Sequence, residues 1–211
     1  MVIGSTGLLG QALMKELRTQ KKHVLGVARS NADISFDITN EELLKNILKN
    51  HKPDIIINTA AIVDLVFCEE HPDLCYKVNA KPSAVFAKHS AFNKVKYVYI
   101  STDHYYTGDK KLKHTETTPL FLCNKYAITK QLGEELSMED ENSLVVRTNI
   151  TGFRGDERKP TFIEWGIKAL ENKEKIQLFD NFYTSSIDVK NFVKLLLELI
   201  EKKTTGIIKL A

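Results

Sequence analysis

The sequence contains little cysteine. Its 211 residues include three, Cys68, Cys75 and Cys123, and no Cys-x-x-Cys spacing links them. Secreted proteins that rely on disulfides carry denser, even-numbered cysteines, and structural zinc sites need closely spaced ligands. The cysteine content therefore argues against a disulfide framework and against a metal site, and it predicts a protein of the reducing cytoplasm.

Long apolar runs are also missing. Runs such as Ile55–Ile57 and Leu195–Leu197 are far shorter than the roughly 20 apolar residues that a helix needs to cross a bilayer. The N-terminus reads Met1-Val2-Ile3-Gly4 and lacks the basic and apolar segments of a secretory leader. We therefore expect neither a membrane span nor secretion.

The chain has no large excess of charge of one sign. Its formal net charge is +3, and lysines such as Lys15, Lys45, Lys49 and Lys130 are scattered over the chain. Nucleic-acid binding needs clustered positive charge, so we expect no nucleic-acid partner. Hydrophobic residues make up 43% and charged residues 27%, which is typical of a soluble globular protein with one main domain at this length.

Apolar segments of strand length alternate with segments of helical periodicity up to Arg147. The predicted strands are Val2–Ile3, His23–Ala28, Asp54–Asn58, Val95–Ser101 and Ser143–Arg147. The predicted helices are 8–19, Glu41–His51, Pro72–Phe92 with a kink or break at Pro82, and Asn124–Met138. Strands that are apolar on both faces and separated by amphipathic helices require a parallel sheet covered on both sides. The predicted fold class is α/β, with a doubly wound parallel sheet of the Rossmann type.

The alternation loosens after Arg147. The pattern predicts a helix Phe162–Asn172, a short strand Ile176–Phe179, a helix Val189–Lys202 and a final apolar run Ile207–Leu210. We interpret residues 1–150 as the main dinucleotide-binding domain. Residues 151–211 are then a small, incomplete substrate-binding lobe, interleaved with the last elements of the sheet.

A glycine-rich segment, Gly4-Ser5-Thr6-Gly7-Leu8-Leu9-Gly10, follows the first strand and opens the first helix. Small residues let the backbone approach a pyrophosphate, and the helix N-terminus offers free N–H groups and a favourable dipole. The segment therefore predicts dinucleotide contacts from Gly4, Thr6, Gly7, Leu8, Leu9 and Gly10. The alternative is a tight strand-to-helix turn without a ligand.

The end of the second predicted strand reads Val27-Ala28-Arg29-Ser30 and carries no acidic residue. An acidic side chain there accepts hydrogen bonds from a free ribose 2′-hydroxyl, whereas an arginine pairs with a 2′-phosphate. Arg29 therefore favours NADP(H), with NAD(H) as the alternative cofactor. An arginine exposed in a surface loop would give the same local sequence.

Two segments supply candidate catalytic side chains. Tyr126 and Lys130 are four residues apart in a predicted helix, so both lie on one helix face. A neighbouring ammonium favours phenolate, and we expect Lys130 to lower the pKa of Tyr126. Ser101-Thr102-Asp103 follows the strand that precedes this helix, at the sheet edge where ligands bind in parallel sheets.

These segments together resemble the dTDP-4-dehydrorhamnose reductase family of the extended short-chain dehydrogenases/reductases. The resemblance includes glycines three apart in the first turn, Ser-Thr-Asp followed by Tyr-x-x-x-Lys, and Val146-Arg147-Thr148. It also places Cys68-Glu69 in the loop after the third strand. It implies a Rossmann-type reductase of a nucleotide-linked keto sugar.

The resemblance also implies residue roles. Tyr126 would be the general acid, Lys130 would hold the nicotinamide ribose, and Thr102 would bond the substrate oxygen. The adenine would contact Asp37 and Ile38, although Asp37 could equally be a cap or turn residue. Further cofactor contacts would come from Thr59, Ala60, Ala61 and Asn79.

His104 departs from the family pattern, because a tyrosine usually follows Ser-Thr-Asp. It also replaces the glutamate that related dehydratases use, which argues against dehydration. Two alternatives stay open: a sugar-nucleotide 4-epimerase with retained NAD, and a non-catalytic NADP-binding regulatory subunit, like the partner of methionine adenosyltransferase that resembles this family. The resemblance also implies a homodimer formed through Pro72–Phe92 and Asn124–Met138.

Overall fold

The computed structural model describes residues 1–106, 113–157, 159–180 and 183–210. Its strands are β1 Val2–Ile3, β2 Gly26–Ala28, β3 Ile34–Ser35, β4 Ile55–Asn58, β5 Lys96–Ile100, β6 Leu144–Arg147, β7 Ile150–Thr151, β8 Ile187–Asp188 and β9 Gly206–Lys209. Its helices are α1 Leu8–Thr19, α2 Glu41–His51, α3 Leu65–Glu70, α4 Pro72–Asn79, α5 Lys81–Asn93, α6 Lys125–Ser137, α7 Phe162–Glu171 and α8 Val189–Glu201.

Seven strands form one sheet in the order β3-β2-β1-β4-β5-β6-β9, and every neighbouring pair is parallel. From β1 the chain adds β2 and β3 toward one edge of the sheet, and β4 then lies on the other side of β1. The strand order therefore reverses between β1 and β4. In doubly wound sheets the ligand crevice opens at this reversal, beyond the carboxyl ends of the strands. The predicted fold class is confirmed.

Helices cover both faces of the sheet. On one face the core includes Leu44 and Leu48 from α2 and Phe86 from α5. On the other face it includes Leu13 from α1 and Phe192 from α8. These apolar side chains recur at helical spacing, so burying them draws each helix onto the sheet.

The single helix predicted over Pro72–Phe92 is two helices, α4 and α5, which meet at Ala80. Pro82 lies in the first turn of α5, where its missing N–H costs nothing because that position has no intrahelical partner. The prediction of a break was therefore correct, and its position was two residues late.

The structure contradicts two other sequence-based predictions and adds a feature that the sequence did not indicate. Ile176–Phe179 is not a strand. Its Leu178 and Phe179 side chains are exposed, and a strand also needs a neighbouring strand to complete its backbone hydrogen bonds. Cys68 and Glu69 lie in α3 and not in a loop, because Asp64 caps that helix by accepting from the Phe67 N–H. The short pair β7 and β8 forms a separate two-stranded sheet that the periodicity did not indicate.

Within the described ranges, the structure contains no helix that is long and apolar enough to cross a membrane.

Candidate functional site

The glycine-rich turn brings three parts of the chain into close contact. Gly4 has a φ of +80°, and a β-carbon there would lie 2.7 Å from the Ala60 backbone nitrogen. A β-carbon on Gly10 would lie 2.1 Å from the Gly4 carbonyl oxygen. Both positions therefore require glycine, and they hold the start of α1 against the ends of β1 and β4.

The N-terminus of α1 faces this turn. Gly7 is its N-cap residue, and no side chain among the described residues caps the helix there. The first N–H groups of an α-helix have no intrahelical partner, and the helix dipole adds partial positive charge at this end. The segment from Gly4 to Gly10 can therefore accept an anionic group, and Thr6, Leu8 and Leu9 lie in the same turn.

The end of β4 lies directly beside the glycine turn. The Thr59 hydroxyl donates to the Ile3 carbonyl at 2.7 Å, and the Ala60 N–H donates to Asn58 Oδ1 at 3.1 Å. These bonds fix the Thr59-Ala60-Ala61 segment at the reversal of the strand order.

Asn79, from α4, supports the same segment. Its Oδ1 accepts from the Ile62 N–H at 2.7 Å, and its Nδ2 donates to the Ile62 carbonyl at 3.0 Å and to Thr129 Oγ1 at 3.1 Å. The side chain is fully buried, and these bonds occupy most of its hydrogen-bonding capacity. The structure therefore shows Asn79 as a tie between the strand end, α4 and α6.

Arg29, Asp37 and Ile38 lie beyond the ends of β2 and β3. Asp37 Oδ1 accepts from the Thr39 backbone N–H at 2.9 Å and from its hydroxyl at 2.7 Å. The Thr39 backbone bond is the main cause of a lowered Asp37 pKa, to which the positive charge of Arg29 also contributes. Asp37 is thus a turn residue near Arg29, whose side chain is exposed, while the Ile38 side chain is buried in the core.

The three candidate catalytic side chains converge at the carboxyl ends of β5 and β6. Thr102 lies just beyond β5, and α6 begins one residue before Tyr126. Lys130 is almost fully buried; its Nζ donates to the Ile100 carbonyl at 2.8 Å and lies 4.1 Å from the centre of the Tyr99 ring. The four-residue spacing places Tyr126 and Lys130 on one face of α6, as predicted, and the structure shows that this face is buried.

The electrostatics of the pair differ from the sequence-based expectation. Burial raises the pKa of Tyr126 to about 12, and a hydrogen bond with Thr102 offsets part of that rise. Burial lowers the pKa of Lys130 to about 7, and the negative charge of Glu134 opposes the change. The prediction that Lys130 lowers the Tyr126 pKa was wrong for these residues, because desolvation of the phenol dominates and the amine faces the Ile100 carbonyl.

Two buried pairs beside the site were missed at the sequence level. Arg147 and Glu134 form an ion pair with an Nη2 to Oε2 distance of 2.7 Å and about 5% exposure on each side. Cys68 Sγ and Cys75 Sγ are 2.7 Å apart and pack against Tyr126. Glu134 follows Lys130 by four residues, a spacing that places it on the same face of α6 but does not indicate Arg147 as its partner. Nothing in the spacing of the cysteines indicates the second pair.

The described residues contain no cluster of three potential metal-ligating side chains.

The fold and site can be compared with known proteins. Spore coat polysaccharide biosynthesis protein SpsK of Bacillus subtilis is 26% identical over 201 residues, which cover 94% of this chain and 68% of SpsK. Methionine adenosyltransferase 2 subunit beta of Xenopus laevis is 31% identical over 154 residues, or 71% of this chain and 46% of that protein. The crystal structure of dTDP-4-dehydrorhamnose reductase from Bacillus anthracis in complex with NADP is 26% identical and has a TM-score of 0.89. That similarity covers 100% of this chain and 73% of the reductase.

The sequence model of the RmlD substrate binding domain matches residues 1–209, nearly the whole chain. The chain therefore belongs to the RmlD substrate binding domain family.

Proposed function

We propose that this chain reduces a keto group on a nucleotide-linked sugar with a nicotinamide cofactor, NADP(H) in preference to NAD(H). The observation that carries the proposal is the convergence of Thr102, Tyr126 and Lys130 beside the crevice where the strand order reverses. The similar Bacillus anthracis reductase was crystallised with NADP, which supports the choice of cofactor.

The residues at this edge of the sheet suit a dinucleotide. The uncapped start of α1 and the glycine turn offer N–H donors to a pyrophosphate. Arg29 lies in reach of an adenosine 2′-phosphate if the adenine lies near Asp37 and Ile38. We propose that Thr59, Ala60, Ala61 and Asn79 border the rest of the cofactor.

A bound reduced nicotinamide supplies the hydrogen and the electron pair that reduce a keto carbon. Tyr126 has a pKa of about 12, so its hydroxyl is protonated at neutral pH and can protonate the developing alkoxide. Thr102 would bond the same oxygen, and the Lys130 amine would hold the nicotinamide ribose. Because the Lys130 pKa is about 7, the amine is only partly protonated near neutral pH, and a small change in its surroundings would change its charge.

Two other functions are compatible with the same site. A 4-epimerase with retained NAD would use the same side chains, but it would consume no cofactor. A non-catalytic regulatory subunit is the second candidate, and the 31% identity to methionine adenosyltransferase 2 subunit beta favours it. That subunit would bind NADP and change the kinetics of a partner enzyme without turnover of its own.

We further propose a division into two parts. Residues 1–150 bind the dinucleotide, and residues 151–211 combine a substrate-binding lobe with the last sheet elements. In the structure, α8 packs on α1, and β9 pairs with β6. We also propose that the chain forms a homodimer through Pro72–Phe92 and Asn124–Met138 and that it is located in the cytoplasm.

The function can be tested with the purified chain, NADPH and dTDP-4-dehydrorhamnose by following NADPH oxidation. Tyr126→Phe should lower turnover about 10²- to 10⁴-fold, since it removes the proton donor, while NADPH binding measured by calorimetry should stay unchanged. Tyr76→Phe, on the exposed side of α4, is the matched control.

Calorimetry on Arg29→Ala tests the cofactor preference, because the variant should lose affinity for NADPH and not for NADH. Full activity of Tyr126→Phe would contradict the assigned role of the phenol. Absence of NADPH oxidation, together with altered kinetics of an added methionine adenosyltransferase, would favour the regulatory function.

A further inference from the structure

His104 lies inside the group of candidate catalytic side chains. Its backbone N–H donates to Thr102 Oγ1 at 3.1 Å, and its ring meets the Tyr126 ring edge-on, with 5.9 Å between centroids. A side chain held this close to both residues adjoins the position where the keto oxygen would bind.

Asn124 determines how the His104 ring is protonated. Asn124 is the N-cap of α6, and its Oδ1 accepts from the Ala127 N–H at 2.8 Å. That bond fixes the orientation of the amide, so Nδ2 is the atom that lies 2.8 Å from His104 Nε2. An amide nitrogen is only a donor, and Nε2 must therefore be the unprotonated acceptor.

The neutral ring then carries its proton on Nδ1. A proton on Nε2 would place two N–H groups against each other at hydrogen-bond distance. Among the described residues Nδ1 has no hydrogen-bond partner, so its N–H is available to a ligand. Cys123 Sγ, 4.0 Å from Nε2, contacts the same side of the ring as Asn124.

We propose that His104 is a specificity-determining residue that donates an Nδ1–H hydrogen bond to a sugar oxygen next to the keto carbon, and that Asn124 positions it by holding this tautomer. The assignment rests on the proposed function for its substrate, a nucleotide-linked keto sugar. The His104 donor would favour sugars with an acceptor oxygen at that position, because a donor left without a partner when the ligand binds lowers the binding affinity.

The tautomer can be measured without any substrate. In protein with ¹⁵N-labelled histidine, the His104 ring nitrogens should show the Nδ1–H tautomer by ¹⁵N nuclear magnetic resonance. Asn124→Asp keeps the α6 cap, since aspartate caps as well as asparagine, but it presents an acceptor to Nε2 and should place a proton there. Asn40→Asp, at the equivalent cap of α2, should leave the His104 signals unchanged.

An Nε2–H tautomer in the unsubstituted protein would overturn the assignment, as would an unchanged signal in Asn124→Asp.

The contact with substrate is tested by calorimetry with dTDP-rhamnose in the presence of NADPH, a pair that cannot react. His104→Phe should weaken dTDP-rhamnose binding about tenfold or more, which is the effect of one lost hydrogen bond, without changing NADPH affinity. His104→Asn places an amide donor near the position of Nδ1 and should restore most of the affinity. In turnover, His104→Phe should raise KM more than it lowers kcat.

Equal dTDP-rhamnose affinity in the unsubstituted protein and His104→Phe would overturn the donor role while leaving the reductase proposal in place. If the unsubstituted protein binds NADPH but no sugar nucleotide, the proposed substrate class fails, and the role of His104 in specificity fails with it. The nuclear magnetic resonance result separates these cases, because it reports on Asn124 and His104 alone.

Discussion

The amine of Lys130 is buried beside the Ile100 carbonyl and the Tyr99 ring, and burial lowers its pKa to about 7. In the unfolded chain the amine keeps its ordinary pKa of 10.5. Between these two values the unfolded state binds more protons, so this group makes the free energy of unfolding rise with pH. The same residue that is proposed to hold the cofactor therefore lowers stability at neutral pH.

Lys130→Met should reduce the rise in the free energy of unfolding between about pH 7 and 9.5, because it removes this group and keeps a chain of similar length. Urea unfolding at both pH values measures the difference. Lys125→Met, an exposed position at the start of α6, is the control and should behave as the unsubstituted protein does. The same pH dependence in all three proteins would show that the Lys130 amine is not buried as described.

Glu134 neutralises Arg147 in the interior. The guanidinium bonds both carboxylate oxygens, at 3.1, 3.2 and 2.7 Å, and donates to the Tyr106 hydroxyl at 2.9 Å. Removing one partner of a buried pair leaves an uncompensated charge, which costs about 3–5 kcal/mol.

Glu134→Gln should therefore lower the free energy of unfolding by about 3–5 kcal/mol in urea melts. The double variant Glu134→Gln, Arg147→Met should recover part of the loss, since no charge is then left unpaired. Glu135→Gln, exposed on the same helix, should change stability by less than about 1 kcal/mol. A loss as small for Glu134→Gln as for Glu135→Gln would contradict a buried pair.

Among the elements, the junction of β1 and α1 is too closely packed to accept a side chain at Gly10. A β-carbon at Gly10 would overlap the Gly4 carbonyl at 2.1 Å, whereas one at Gly166, within α7, meets nothing within 4 Å. The same glycine-to-alanine substitution can therefore be made at one crowded position and at one open position.

Gly10→Ala should push α1 away from the turn, lowering the melting temperature and weakening NADPH binding at least tenfold. Gly166→Ala should instead raise the free energy of unfolding by about 0.5–1 kcal/mol, since alanine loses less backbone entropy in a helix. Thermal melts and calorimetry on both variants test this contrast. Normal NADPH affinity in Gly10→Ala would mean that the turn does not depend on this close approach.

At the scale of the whole molecule, the part after Arg147 has an unusually apolar surface. Phe162 is 68% exposed, Leu170 70% and Phe179 86%. Exposed apolar side chains provide contacts for hydrophobic ligands or other proteins where they form a patch.

The fluorescent hydrophobic probe ANS should therefore bind the folded chain. Leu170→Gln with Phe179→Ser should reduce its fluorescence without lowering the melting temperature, because exposed side chains add little to stability. Phe92→Ser removes an equally exposed ring from α5 and is the control. Equal loss of fluorescence in the control would locate the apolar surface elsewhere.

Much of the fold and part of the site could be predicted from local sequence. Periodicity located the long helices and the central strands, because burying an apolar face determines both. Tyr126 and Lys130 were placed on one face of α6 because four residues make about one helical turn. The strand β3 and the pair β7 and β8, each strand two residues long, are too short for any period to show, and Ile176–Phe179 was apolar without being buried.

The sequence by itself determined the α/β class, the glycine turn after β1 and the spacing of the candidate catalytic residues. Only the tertiary structure decided the electrostatics of the site. Packing of α3 and α4 against α6 buries Tyr126 and raises its pKa. Arg147 on β6 forms an ion pair with Glu134 on α6. Asn124 bonds the ring of His104, which lies twenty residues earlier in the chain. These effects depend on desolvation and on contacts between distant segments, and local sequence patterns carry no record of either.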